Sequence, residues 1–153
     1  MKTVLVLEDE PSVLRLLRRT LEEYCLVEAA TAEEALLRFI DRDSRIDLLI
    51  ADLRGTRRRS PVKSGIEVAL LLRSKLPRLP VILTSGSPVG EWSDGDSAAL
   101  ERLGSWSAVI LQKPLQAEVL LNAVVVLIHA SRTCDATTGG KAHPARLPIV
   151  AWS

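Results

Sequence analysis

The sequence has few aromatic residues, few cysteines, no excess of either charge and no long apolar run. Aromatic residues make up 3% of the 153 residues and hydrophobic residues 47%, so the core must be built from aliphatic side chains. Lysine and arginine number 20 against 19 acids, a net charge of +1, so the overall charge gives no reason to expect a nucleic-acid partner. The two cysteines, Cys25 and Cys134, fit neither a disulfide framework nor a zinc site.

Two further absences bear on location and domain organisation. Acidic residues begin at Glu8, so we expect no secretory signal. The most apolar stretch, Val119–Ile128, is interrupted by Asn122 and is too short to cross a bilayer, so we expect a cytoplasmic protein with no membrane partner. The length suits one domain, which we expect to span residues 1–130. The periodic pattern stops there, and residues 131–153 are expected to form a flexible tail.

Strand-like and helix-like segments alternate five times before that tail. Short apolar runs predict strands at Thr3–Leu7, Cys25–Ala30, Asp47–Ala51, Pro80–Thr84 and Ala108–Leu111. Apolar residues at helical spacing follow each run, and the clearest predicted helices are Gly65–Leu76 and Pro114–Ala130, whereas Ser97–Leu103 carries a weak signal. This alternation predicts a parallel sheet with helices on both faces.

Polar residues follow the carboxyl ends of four predicted strands. They are Glu8 and Asp9 after the first strand, Asp52 after the third, Ser85 after the fourth and Lys113 after the fifth. Because parallel strands share one carboxyl edge, where such sheets bind ligands, these side chains should converge. Three carboxylates suit Mg²⁺, and a lysine and a hydroxyl suit phosphoryl oxygens. A carboxylate in line with a phosphoryl group can itself accept that group.

This order of residues resembles the receiver domain of response regulators, the phospho-acceptor module of two-component signalling. The resemblance extends from Lys2 to about Ala130. It implies a flavodoxin-like doubly wound (βα)5 sandwich whose five-stranded parallel sheet has the order 2-1-3-4-5. It also implies a stand-alone, chemotaxis-regulator-like protein that is phosphorylated by a histidine kinase or a histidine phosphotransfer protein. Apart from this self-phosphorylation and a slow loss of the phosphoryl group, no enzymatic turnover is expected.

The resemblance gives the acidic residues their roles. Asp52 would be the phospho-acceptor. Asp9 and Glu8 would bind Mg²⁺ together with Asp52, and the backbone carbonyl of Arg54 would be a further ligand. Glu10 matches no functional position, and we expect it to be a solvated bystander.

The resemblance also implies roles for residues near the ends of the last two strands. Ser85 and Lys113 would bind phosphoryl oxygens, and the small Gly86 would leave the approach to the acceptor open. The Lys113–Pro114 peptide bond would be cis. Ile110 occupies the switch position, where receivers usually have a Tyr or Phe that turns inward. The phosphorylation-dependent switch therefore has an alternative: an interaction module that keeps the fold and works without phosphorylation.

Other departures from the family pattern concern the segment after Asp52. The basic segment Arg54–Lys63, within RGTRRRSPVKSG, is several residues longer than usual. It has three possible interpretations: a solvated loop, a nucleic-acid contact, or a surface that steers a phosphodonor or acidic partner to the site. A phosphatase of the haloacid-dehalogenase kind would also use an aspartyl phosphate, but it needs a second acid where Arg54 stands. We expect output by protein contact, from a monomer or a homodimer.

Overall fold

The computed structural model of the chain describes residues 1–42, 45–53, 65–86, 94–104 and 108–136. Strands and helices alternate through these residues. The strands are β1 (Thr3–Leu7), β2 (Cys25–Ala29), β3 (Leu48–Asp52), β4 (Val81–Ser85) and β5 (Ala108–Gln112). The helices are α1 (Pro11–Thr20), α2 (Ala32–Asp41), α3 (Gly65–Lys75), α4 (Asp94–Leu103) and α5 (Ala117–Ala136).

The strands form one parallel sheet with the order β2-β1-β3-β4-β5. This order confirms the predicted doubly wound, flavodoxin-like architecture. The register aligns Val6 of β1 with Ile50 of β3, and Ile50 in turn with Ile82 of β4. The strand order reverses at β1, so a crevice beyond the carboxyl ends of β1 and β3 is the expected ligand site.

Apolar side chains cover both faces of the sheet, which explains why the strand sequences are apolar at nearly every position. Helices α2, α3 and α4 pack on one face, where Phe39 and Leu72 join the same buried cluster as Leu5 and Leu83. Helices α1 and α5 pack on the other face, where Leu17 and Leu127 join a second buried cluster with Val4 and Ile50 of the sheet. The core is therefore almost wholly aliphatic, as the composition indicates.

Local sequence explains several helix boundaries. Thr31 is the N-cap of α2, and its side chain accepts a hydrogen bond from the Glu34 N–H at 3.1 Å, as the predicted capping box requires. Pro11 is the first residue of α1, where its missing N–H is not needed. Helix α4 begins at Asp94, three residues before the weak predicted start at Ser97.

The bounds of the last helix differ from the prediction. Helix α5 begins at Ala117 instead of Pro114 and continues to Ala136 instead of ending at Ala130. Residues 131–136 contain neither glycine nor proline, so the helix can continue after its apolar pattern stops. The division of the chain at Ala130 stays a prediction, because residues 137–153 lie outside the described residues. Within the described ranges, no helix is long and apolar enough to span a bilayer.

Candidate functional site

The carboxyl edge of the sheet brings together charged side chains from β1, β3 and β5. Oxygen atoms of Glu8, Asp9 and Asp52 lie within 4.8 Å of one another. The Lys113 Nζ lies 3.2 Å from Glu8 Oε2 and 3.3 Å from Asp52 Oδ2. Residues that are far apart in the sequence are therefore adjacent in the fold, because each follows a strand of the same parallel sheet.

Backbone hydrogen bonds hold these residues at the edge. The Glu8 N–H donates to the Ala29 carbonyl at 3.0 Å, and the Lys113 N–H donates to the Ser85 carbonyl at 2.7 Å. Both bonds extend the strand ladder by one residue beyond the end of a strand, so they fix the backbone from which each side chain projects. The Lys113–Pro114 peptide bond is cis.

The site is partly removed from water. The side chain of Glu8 is 2% exposed, that of Asp52 16% and that of Lys113 17%. Burial and the charge of Asp52 raise the pKa of Glu8, although Lys113 and the backbone N–H of Glu10 partly oppose them. Burial would lower the pKa of Lys113, but Asp52 and Glu8 outweigh it and leave that pKa raised. The ammonium form of Lys113 is thus favoured beside several carboxylates, whose combined negative charge exceeds its own.

The three carboxylates fit a Mg²⁺ ion. All their ligand atoms are hard oxygens, close enough together to bind one cation, and Mg²⁺ takes few protein ligands while keeping several waters. Burial, and after it the charge of Asp52, raises the pKa of Glu8, and a divalent cation would offset the second of these causes. The expected fourth ligand, the carbonyl of Arg54, and the whole basic segment Arg54–Lys63 lie outside the described residues.

Glycine at the start of α3 is a site feature that the sequence analysis missed. The Gly65 N–H donates to the Leu53 carbonyl at 2.8 Å. A Cβ atom at Gly65 would collide with the carbonyl oxygen of Asp52 and lie 3.2 Å from the Ala51 Cβ. Helix α3 therefore begins directly against the end of β3, and only glycine permits that approach. A glycine at the first position of a predicted helix was the available signal.

Glu10 is solvated, as predicted, but it also contacts residues of the site. Its side chain is 52% exposed, but its Oε2 lies 3.5 Å from the Lys113 Nζ. Its backbone N–H donates to Glu8 Oε1 at 3.1 Å. Glu10 therefore contacts both the lysine and one of the candidate metal ligands. The acidic run from Glu8 to Glu10 was the available sequence signal for placing all three acids at the same edge.

Ser85 and Gly86, the predicted phosphate-binding residues, lie at the end of β4. Ser85 is the last residue of the strand and is 2% exposed. Gly86 follows it at the surface, and a Cβ there would meet no described atom within 4 Å. Thr84, the neighbouring hydroxyl, is paired in register with Asp52. Its buried Oγ1 has no hydrogen-bond partner among the described residues.

The switch position lies inside the core. Ile110 is 1% exposed and belongs to the same buried cluster as Leu83 and the α4 residues Ala99 and Leu103. In this structure the side chain is therefore already packed beneath α4. An isoleucine also lacks the polar end that lets a tyrosine be stable both inside and outside the core.

The fold is similar to that of solved receiver domains. A response regulator receiver domain protein from Clostridium thermocellum matches with a TM-score of 0.68 and 24% identity, over 88% of this chain and 99% of that chain. A CheY-like receiver domain protein from Methanospirillum hungatei matches with a TM-score of 0.69 and 21% identity, over 87% and 98%. The chemotaxis protein CheY4 from Vibrio cholerae matches with a TM-score of 0.64 and 24% identity, over 83% and 98%.

These similarities show that the chain has the receiver-domain fold. No family model and no curated protein matches the sequence. The identities to the solved structures are low, so the fold is established by the structural likeness, and the function must be argued from the site.

Proposed function

We propose that this chain is a response-regulator receiver that accepts a phosphoryl group on Asp52 in the presence of Mg²⁺. The donor would be a histidine kinase or a histidine phosphotransfer protein, and the protein would act in the cytoplasm. The observation that carries the proposal is the Lys113 ammonium, which lies within 3.3 Å of both Glu8 and Asp52 beside the third carboxylate, Asp9. A plain structural domain has no need to hold three acids together at one edge of its sheet, with Glu8 buried and Asp52 partly buried.

The chemistry follows from the positions of these groups. A carboxylate oxygen of Asp52 attacks phosphorus and forms an acyl phosphate. The bond from phosphorus to the donor breaks, and its electron pair leaves with the donor group. Mg²⁺, bound by Glu8, Asp9 and Asp52, would neutralise charge that otherwise repels the incoming group. The Lys113 ammonium would turn from its carboxylate partners to an oxygen of the phosphoryl group.

Phosphorylation would change the structure around the carboxyl edge. The new group adds charge and acceptor oxygens that attract Lys113 and the Ser85 hydroxyl. The Lys113 N–H already donates a hydrogen bond to the Ser85 carbonyl. A movement of either residue would therefore displace the ends of both β4 and β5. Output would occur through a protein partner that senses this part of the surface. Water would slowly remove the phosphoryl group.

The proposal is tested by intact mass after incubation with Mg²⁺ and acetyl phosphate. We expect a gain of one phosphoryl group in the native chain. We expect no gain in Asp52→Asn or in a sample with the metal chelated. Asp41→Asn, which changes an exposed acid at the end of α2, is the matched control and should gain the group normally. Phosphorylation of Asp52→Asn to the native extent would overturn the proposal.

A second candidate function is a phosphorylation-independent interaction module. The buried Ile110 favours it, because the usual aromatic switch is absent and the position is already filled. Partner affinity or oligomeric state separates the two candidates. A change on phosphorylation favours the receiver switch, whereas an affinity that is equal for the native chain, its phosphorylated form and Asp52→Asn favours the module.

A further inference from the structure

Glu10 has a carboxylate that is held toward Lys113. One oxygen, Oε1, accepts a hydrogen bond from the Ser12 hydroxyl at 3.1 Å, and the other, Oε2, lies 3.5 Å from the Lys113 Nζ. Glu10 is also the N-cap residue of α1, but its side chain makes no capping hydrogen bond. The short side chain of an aspartate at this position can accept from the first helical N–H groups, but glutamate is not among the preferred capping residues. Here the side chain is directed to the lysine instead.

The three acids that contact Lys113 are not equivalent. Glu8 and Asp52 belong to the group of carboxylates that could hold a metal ion, and Glu10 does not. The side chain of Glu8 is 2% exposed, whereas that of Glu10 is 52% exposed. Glu10 is therefore the partner of Lys113 that a bound Mg²⁺ would leave available.

Mg²⁺ and the lysine compete for the same oxygen atoms. An ammonium 3.2 Å from Glu8 and 3.3 Å from Asp52 lies where it would repel a divalent cation bound to both carboxylates. Lys113 must therefore move away when the metal ion binds. Its long, flexible side chain can move, but the move costs free energy unless another carboxylate forms an ion pair with the displaced ammonium.

We propose that Glu10 receives Lys113 when Mg²⁺ occupies the carboxylates, and so increases the affinity of the site for Mg²⁺. Glu10 is then a positioning residue that acts through the lysine. Its pair with Lys113 is half exposed and weak, so the lysine can leave it again for a phosphoryl oxygen. This inference rests on the proposed function, and it assigns to Glu10 a role in the binding of Mg²⁺.

The inference is tested by calorimetric measurement of the Mg²⁺ dissociation constant of the unphosphorylated chain. We expect Glu10→Gln to raise that constant about threefold, the factor that corresponds to an exposed ion pair. Glu23→Gln removes one charge from an exposed acid elsewhere on the surface and should leave the constant unchanged. Circular dichroism should be identical for both variants and the native chain.

A double-mutant cycle separates an effect through the lysine from a simple loss of negative charge. In a Lys113→Met background, Glu10→Gln should no longer change the dissociation constant, because no ammonium remains to be received. An equal effect of Glu10→Gln in both backgrounds would overturn the inference, since a direct attraction between Glu10 and Mg²⁺ does not need Lys113. No effect in the native background would also overturn it.

The same titration distinguishes this inference from the proposed function. A native chain that binds Mg²⁺, with no effect of Glu10→Gln, would contradict the role of Glu10 alone and leave the receiver proposal standing. A native chain that binds no Mg²⁺ would contradict both. Asp52→Asn should bind Mg²⁺ less tightly than the native chain, which checks that the heat measured comes from this site.

Discussion

Lys113 and Arg73 are two cations held largely inside the protein, and their partners are of different kinds. Lys113 lies among the carboxylates of Glu8, Glu10 and Asp52. Arg73, on α3, donates from Nε to the Leu79 carbonyl at 2.9 Å and from Nη1 to the Leu103 carbonyl at 2.7 Å. Burial lowers the pKa of Arg73 to about 10, whereas the carboxylate charges leave the pKa of Lys113 raised.

The difference separates a cation with a structural role, Arg73, from Lys113, for which we propose a functional role. The carbonyls that Arg73 binds are part of the backbone, at the connection after α3 and at the C-terminal end of α4, where a positive charge also suits the helix dipole. These partners cannot be exchanged without moving the chain. The carboxylates around Lys113 can bind other cations, so the partners of the lysine can change while the fold stays the same.

The largest effect should come from replacing the structural cation. Arg73→Met removes two hydrogen bonds from a charged donor and leaves the Leu79 and Leu103 carbonyls short of a donor. We expect the free energy of unfolding in urea to fall by about 3 kcal/mol, because each such bond contributes about 1.5–3 kcal/mol and relief of desolvation offsets part of the loss. Mg²⁺ should not reduce this loss.

The control for Arg73 is Lys75→Met, which replaces an exposed cation on the same helix. It should change the unfolding free energy little. If Arg73→Met cost no more than Lys75→Met, the buried guanidinium would not stabilise the packing of α3 on α4. Equal recovery of Arg73→Met and Lys113→Met by Mg²⁺ would remove the distinction between the two cations.

Replacing Lys113 should have a smaller effect on the free energy of unfolding, and one that depends on pH and metal. Lys113→Met leaves Glu8 and Asp52 in mutual repulsion with little exposure to water, and we expect a loss of about 2 kcal/mol at neutral pH without metal, less than for a fully buried pair. Mg²⁺ should restore most of this stability, because it takes the place of the lysine as the positive charge. Thermal unfolding with and without Mg²⁺ measures the difference. A loss that Mg²⁺ does not reduce would contradict this account of the site.

Much of the site could be predicted because each of its residues follows an apolar run. Glu8, Asp9, Asp52, Ser85 and Lys113 stand directly after, or at the end of, segments that only a covered strand explains. Once the sheet is parallel, their common edge follows from topology. Their roles in phosphorylation rest on the family resemblance and stay predictions until Asp52 is tested.

The remaining contacts depend on geometry that sequence patterns do not carry. The acidic run indicates that Glu10 lies near the edge of the sheet, but only the path of the neighbouring backbone decides that it meets Lys113 and that Arg73 meets two carbonyls. Gly65 is similar, because its role depends on how closely α3 approaches Asp52. The end of α5 was missed because apolar periodicity marks where a helix is buried, and a helix can continue beyond that point.

The smallest and most specific effect concerns Glu8. Its pKa is raised above the ordinary value of 4.5, so the folded state binds the proton more tightly than the unfolded state does. The stability that this proton contributes is complete below about pH 4.5 and is lost as pH rises through the raised pKa of Glu8. Glu8→Gln keeps an oxygen that can accept from the Glu10 N–H but carries no charge at any pH.

Without metal, we therefore expect Glu8→Gln to unfold at a slightly higher temperature than the native chain at pH 7, and at the same temperature at pH 4 or below, within about 1 °C. Mg²⁺ should reverse the order at pH 7, because the native chain gains stability from the bound ion and the variant loses one of its ligands. Thermal scans at both pH values, with and without Mg²⁺, measure each difference. If the native chain were the more stable at pH 7 even without metal, Lys113 would already offset the cost of burying Glu8. Lys113 would then stabilise the fold as Arg73 does through its hydrogen bonds to carbonyls, and the contrast between the two cations would fail.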